Sequence, residues 1–160
     1  MQPAVSANSS TKENRVLFTF IAVLALAGVL VSAISLQRHY AKSTTQFCDV
    51  GEKFNCDIVN RSEWSRVMGI PVAAIGVIGY AALLLLATVY RWRPESPLRL
   101  LVAAGLGLGF ALYLTYIEGF VLGTWCILCL SSLALIAAIT VLAAVLKARA
   151  ATQQRVKAAD

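Results

Sequence analysis

Four cysteines carry the chemistry this chain is equipped for. They fall as two pairs, Cys48 with Cys56 and Cys126 with Cys129. The second pair reads Cys126-Ile127-Leu128-Cys129, a CxxC motif at the start of a long apolar segment. Residues three apart share one face of a helix. A helix start directs unpaired amides and the positive dipole end at groups placed there. With Thr124 as the expected cap, that environment favours thiolate, the form that attacks disulfides. Cys48 and Cys56 sit in the only sizeable polar stretch between apolar segments. Their spacing closes a small loop containing Gly51 and Asn55, whose disulfide either staples the loop or exchanges with partners. Zinc is the competing chemistry, since CxxC is a common half-site. The pairs are unequal and one lies at membrane depth, so the expectation is no metal. His39, the one histidine, reads as an interfacial loop residue rather than a ligand or catalytic base.

The elements that position these sulfurs are membrane helices. Hydrophobic residues make up 59% of the 160 residues, against ~45–50% in soluble domains. Four blocks lack Asp, Glu, Lys, Arg and His: 16–36, 67–90, 100–117 and 119–146. Each reaches the ~18 residues that mark a membrane-spanning helix. The expected architecture is an all-α membrane protein, a four-transmembrane-helix bundle with spans at about 16–36, 67–90, 98–117 and 122–146. The first run is too long for a cleaved signal peptide and is read as a span. Residues 1–15 are polar and are expected as a disordered cytoplasmic tail; residues 147–160 form a basic cytoplasmic tail. Gly28, Ser32, Ala33 and Ser35 in the first segment, and Gly76, Gly79, Gly105, Gly107 and Gly109 later, read as close-packing positions.

Charge fixes the expected orientation. The net charge is +6. It lies entirely on one side if the N-terminus, the 91–99 turn and the C-terminal tail are grouped. That side holds Lys12, Arg15, Arg91, Arg93, Arg99, Lys147, Arg149, Arg155 and Lys157; the other side is neutral. The positive-inside rule places both termini in the cytoplasm and all four cysteines on the extracytoplasmic side, where disulfides persist. The basic residues are topology signals that also meet anionic lipid, and no nucleic acid partner is implied. Within the first extracytoplasmic loop, Ile58, Val59, Trp64, Val67 and Met68 are spaced as on a helix. A short amphipathic helix over 56–68 is expected to roof the bundle. One dithiol in water and a second at the lipid edge form a relay that points to a lipid-soluble electron carrier.

Four more residues are candidates. Ser62 is placed to hydrogen-bond a thiolate or a reduced quinone oxygen, with solvent exposure as the alternative. Glu118 could relay protons, or be a solvated interfacial carboxylate. Trp64 and Trp125 either line an apolar pocket or anchor the interface.

This arrangement resembles the vitamin K epoxide reductase family, four-helix membrane oxidoreductases that couple disulfide chemistry to quinones. The resemblance rests on Cys48-Asp49-Val50-Gly51, Cys56, Ser62 and Trp64, then Ala111-Leu112-Tyr113-Leu114 and the CxxC. It covers roughly 16–146. In the other type of bacterial quinone-linked disulfide oxidase the CxxC comes first; here the shuttle pair does. The resemblance implies that a reduced thioredoxin-like (DsbA-like) partner attacks a Cys48–Cys56 disulfide at Cys48. Cys56 then exchanges with Cys126, and Cys129 faces the quinone, of ubiquinone, menaquinone or vitamin K type. Ser62 and Trp64 support the roof of that pocket. Animal members carry an asparagine in the second-helix region and a tyrosine just after the CxxC. Here those stretches read Ile70-Pro71-Val72-Ala73-Ala74-Ile75 and Leu130-Ser131-Ser132-Leu133. Epoxide reduction is therefore the alternative reading, beside a non-catalytic bundle with structural disulfides. No fused thioredoxin-like domain follows the fourth segment, so the implied partner is a separate extracytoplasmic protein and the implied location is the bacterial inner membrane.

Overall fold

The structure is a computed structural model that describes residues 4–40, 54–67, 69–93 and 95–159. Cys48 lies outside the described residues. Five α-helices account for most of the chain: α1 Ala4–Tyr40, α2 Cys56–Arg61, α3 Val72–Thr88, α4 Ser96–Ile117 and α5 Ile127–Ala159. α1, α4 and α5 are long and apolar enough to cross a membrane, and α3 is a shorter apolar helix. The protein is an all-α membrane bundle. α1 packs on α3 and α5, α4 packs on α5 and α3, and the four close into a ring.

Large apolar side chains point outward as well as inward, which suits lipid as the solvent. Phe20, Leu30, Ile78, Leu106 and Phe120 are exposed. The interior is built from Ile21, Ala25, Tyr80, Leu83, Leu100, Ala104, Ile136, Ile139 and Ala143. Helices in lipid gain by close packing rather than by leaving water, and small residues permit it. A Cβ on Gly28 would lie 2.3 Å from the Tyr80 ring. A Cβ on Gly76 would meet the Ser32 hydroxyl at 2.8 Å, and one on Gly107 would meet Ile136 at 3.2 Å. Gly79, Gly105 and Gly109 face open space instead, so their expected packing role is not what the bundle uses.

The helices overrun the expected spans. α1 starts at Ala4, ahead of the apolar block, so most of the stretch read as a disordered tail is helical. α5 continues to Ala159 through the basic tail. Its last turns are rich in Ala, Lys, Arg and Gln, all good helix formers, and contain neither Gly nor Pro. The two extensions meet where Arg149 donates to Glu13 at 2.8 Å. Arg15 and Arg91 lie 5.9 and 4.6 Å from the Trp92 ring centroid, so the α3–α4 turn belongs to the same end of the bundle.

The roof differs from a single helix over 56–68. α2 spans only Cys56–Arg61; a 3₁₀ turn, Glu63–Ser65, follows. Then β1 (Arg66–Val67) pairs antiparallel with β2 (Ile70–Pro71). The break has a local cause. The Ser62 hydroxyl donates to the Val59 carbonyl at 2.8 Å and the Ser65 hydroxyl to the Ser62 carbonyl at 2.7 Å. Serine side chains that bind nearby backbone in this way compete with helix continuation. Gly69, at φ +84°, supplies the left-handed residue between the two strands.

Candidate functional site

Cys56, Cys126 and Cys129 gather at the bundle end opposite the Glu13–Arg149 pair. α4 ends at Ile117 and loosens into a π-helical turn, Glu118–Leu122. Gly123, at φ +62°, stops it in a left-handed conformation. The Thr124 N–H returns to the Glu118 carbonyl at 3.2 Å. The chain then runs extended through Trp125, which forms a parallel bridge with Phe54. The Asn55 N–H donates to the Trp125 carbonyl at 3.2 Å. Cys56 and Cys126, the residues that follow the two partners of this hydrogen bond, therefore fall in one buried cluster with Val59, against which Leu122, Leu128 and Cys129 pack. Cys56 is 1% and Cys126 0% exposed.

Both cysteines open helices. Asn55 caps α2, its Oδ1 accepting from the Ile58 N–H at 3.1 Å. Cys126 holds the capping position of α5, because its carbonyl accepts the Leu130 N–H at 3.0 Å. The expected cap, Thr124, instead donates to the Leu122 carbonyl.

Cys126 precedes the α5 span, and its thiol is held below the ordinary 9.0. The largest cause is a hydrogen bond from the Cys129 thiol. Burial opposes it, the Cys129 N–H supports it, the nearby Glu118 charge opposes it, and the Leu128 N–H adds to the lowering. Cys126 and Cys129 are free thiols, whereas Cys56 is disulfide-bonded. The Cys48–Cys56 pairing lies outside the described residues because Cys48 does.

Glu118 is not a solvated interfacial carboxylate. It is 2% exposed, and its Oε2 accepts the Cys126 N–H at 3.2 Å. Its carboxyl also lies within hydrogen-bonding reach of the Cys129 thiol. Glu118 and Cys129 both line a cavity of about 360 Å³ between α1, α3, α4, α5 and the roof. Cys126 and Cys56 do not line it. Ser62 and Trp64 contribute to its wall; Ser62 spends its proton on Val59, and Trp64 remains half exposed. Trp125 stands outside the wall, packed over Gly119, where a Cβ would come within 3.0 Å of its ring.

Several cavity residues escaped the sequence reading. Tyr80 donates to the Ser132 carbonyl at 2.7 Å and lies 3.0 Å from the Ser132 hydroxyl, tying α3 to α5. Ser35 donates to Asn60 Oδ1 at 2.9 Å, and His39 Nδ1 bonds the Asn60 carbonyl. Their signal was polarity on or beside apolar helices, which costs free energy unless a partner is present. His39 is therefore a helix residue of the cavity wall, not a loop residue.

The cavity has room for a small-molecule ligand. The volume lies in the range of small-molecule sites, ~300–1,000 Å³. Val31, Ile75, Phe110 and Leu114 make much of the wall apolar, a sulfur faces in, and a few polar groups converge on it.

Residues 19–144 match the family described as the Vitamin K epoxide reductase family. Its members are membrane oxidoreductases that use quinones as electron carriers. The match spans the helices and the cavity just described, so this multi-pass membrane protein is an oxidoreductase, and the chain belongs to the vitamin K epoxide reductase family.

Proposed function

We propose that this protein oxidises a reduced thioredoxin-like partner and passes the electrons through its two cysteine pairs to a membrane quinone, supporting disulfide-bond formation. The carrying observation is the Asn55–Trp125 hydrogen bond, which brings Cys56 to Cys126 while Cys129 faces the cavity.

Each transfer is thiolate exchange. A partner thiolate attacks Cys48 Sγ and releases Cys56 as thiolate; the partner's second thiol resolves the mixed disulfide, leaving with its own disulfide. Cys56 then attacks Cys126 in an oxidised Cys126–Cys129 pair and releases Cys129. Cys48 resolves Cys56 and frees Cys126. The net result is one dithiol in the CxxC motif. A bound quinone supplies the two-electron acceptor chemistry that returns this dithiol to a disulfide, and two protons leave with the electrons. Glu118, in reach of Cys129 and on the cavity wall, carries a proton between them. Ser62 and Trp64 hold the roof, and Trp125 sets the bridge that presents Cys126. The quinone is of ubiquinone, menaquinone or vitamin K type, and no metal takes part.

The topology that serves this reading has four spans within one VKOR-like domain, residues 16–146. Both termini are cytoplasmic, and the cysteines lie on the extracytoplasmic face of a bacterial inner membrane. The Glu13–Arg149 pair and the Trp92 contacts support it by grouping both termini with the α3–α4 turn at the end far from the cysteines.

The test uses the purified protein with a reduced thioredoxin-like protein and a short-chain quinone. Quinone absorbance should fall in step with partner oxidation, and a partner lacking its second, resolving cysteine should accumulate a mixed disulfide with Cys48 as Cys56 is released. Absence of both a trapped partner and an absorbance change contradicts the reading.

A further inference from the structure

Asn60 is a polar residue of the cavity that this relay does not employ. It sits in α2, four residues after Cys56, and is 7% exposed. Its side chain is fixed through Oδ1, which accepts from Ser35, and its backbone carbonyl is bonded to His39 Nδ1. Nδ2 is buried without a hydrogen-bond partner among the described residues, and Asn60 lines the same cavity as Cys129. A buried amide N–H with nothing to donate to is costly, and native structures rarely keep one without a use. α1 holds this residue at two points, the side-chain oxygen through Ser35 and the backbone carbonyl through His39, so its donor is aimed by packing.

The chemistry that would satisfy it is a hydrogen-bond acceptor in a mostly apolar space. An oxidised quinone offers only acceptors, its two carbonyl oxygens. As electrons arrive, charge accumulates on those oxygens, and a donor already in place is worth more in the reduced form than in the oxidised one. We propose that Asn60 Nδ2 donates a hydrogen bond to a carbonyl oxygen of the quinone in the Cys129 cavity, with Ser35 and His39 positioning the amide. The proposal rests on the quinone reading above and adds a specific recognition group to it.

The experiment uses the full chain in lipid nanodiscs, fully oxidised so that no electrons reach the ligand. The probe is a short-chain benzoquinone with ¹³C-labelled carbonyls. Binding is read by quenching of tryptophan fluorescence, and the hydrogen bond by the infrared carbonyl stretch. In the wild type one carbonyl band should shift to lower frequency relative to the quinone in empty nanodiscs. Asn60→Leu removes the donor. Asn60→Asp keeps the shape and the Ser35 contact but presents only acceptors when ionised. Both should abolish the shift and weaken binding roughly 3- to 10-fold, the equivalent of one neutral hydrogen bond. The Asp variant, nearly isosteric, guards against a result that merely reflects misfolding. An unshifted band in the wild type, or a shift and affinity retained in either variant, overturns the proposal while leaving the quinone reading standing. A wild type that binds no quinone overturns both.

Discussion

The backbone N–H of Asn55 donates to the carbonyl of Trp125, 3.2 Å away, and Cys56 and Cys126 are the next residues on either side of that bond. Seventy positions of sequence separate the two cysteines, yet a single bridge makes them neighbours in one buried cluster. The chemistry proposed for the chain depends on that bridge more than on any side chain beyond the sulfurs.

Loosening the roof should therefore slow exchange between the pairs. Asn55→Ala removes the cap of α2, a change that costs about 1 kcal/mol. Reduction of the CxxC pair by an added dithiol partner, followed by thiol labelling in quenched samples, should slow several-fold.

Cys126 should titrate below an ordinary thiol, and the reason is testable. Its largest stabilising contact is the Cys129 thiol. In the reduced protein, thiolate absorbance near 240 nm should show a step below 9.0 that belongs to Cys126. Cys129→Ala removes the donor, so the step should move to higher pH and the thiolate fraction at neutral pH should drop. Cys129→Ser keeps an O–H donor and should move it less.

Glu118 separates a structural from a protonic contribution. Glu118→Gln keeps an oxygen acceptor for the Cys126 N–H but carries no exchangeable acid proton. Quinone reduction should fall roughly 10-fold or more, within the range of general-acid effects, with quinone affinity near wild type. Removing the charge also removes an influence that raises the Cys126 pKa, so the thiolate step should move further down. Glu118→Ala leaves the buried N–H unpaired and should in addition lower stability by about 1–3 kcal/mol.

Bundle packing makes a prediction independent of chemistry. Gly28→Ala places a methyl 2.3 Å from the Tyr80 ring and strains the α1–α3 contact. A loss of about 1–3 kcal/mol is expected, as for other overpacked sites, read as a lower thermal midpoint in detergent. Gly79→Ala and Gly105→Ala meet nothing within 4 Å and should be neutral or slightly stabilising.

The sequence disclosed what is periodic or chemically rare. Long charge-free runs marked the helices, and four cysteines in order marked the chemistry. The hidden parts depend on single, non-repeating contacts. A bridge between Phe54 and Trp125 has no hydrophobic period to reveal it. The roof carried the apolar spacing of one helix, but Ser62 leaves it at ψ 158° with its hydroxyl bound to Val59, and the chain turns into a hairpin. Thr124 looked like the cap of α5, whereas the left-handed Gly123 delays the helix until Cys126, whose carbonyl accepts the Leu130 N–H. Glu118, adjacent to an apolar block, read as interfacial; the π turn carries it inward beneath Cys126.

The central claim is that electrons cross from Cys56 to Cys126. It is tested most directly in the Cys48→Ala/Cys129→Ala double variant, where neither residue that would resolve the exchange remains. After mild oxidation in the membrane and blocking of free thiols, peptide mass spectrometry should recover a Cys56–Cys126 disulfide as the dominant species. The matched Cys56→Ala/Cys129→Ala variant should give far less Cys48–Cys126 product. Free, fully blocked Cys56 and Cys126 in the first variant, or equal crosslinking of Cys48 in the second, would contradict the account.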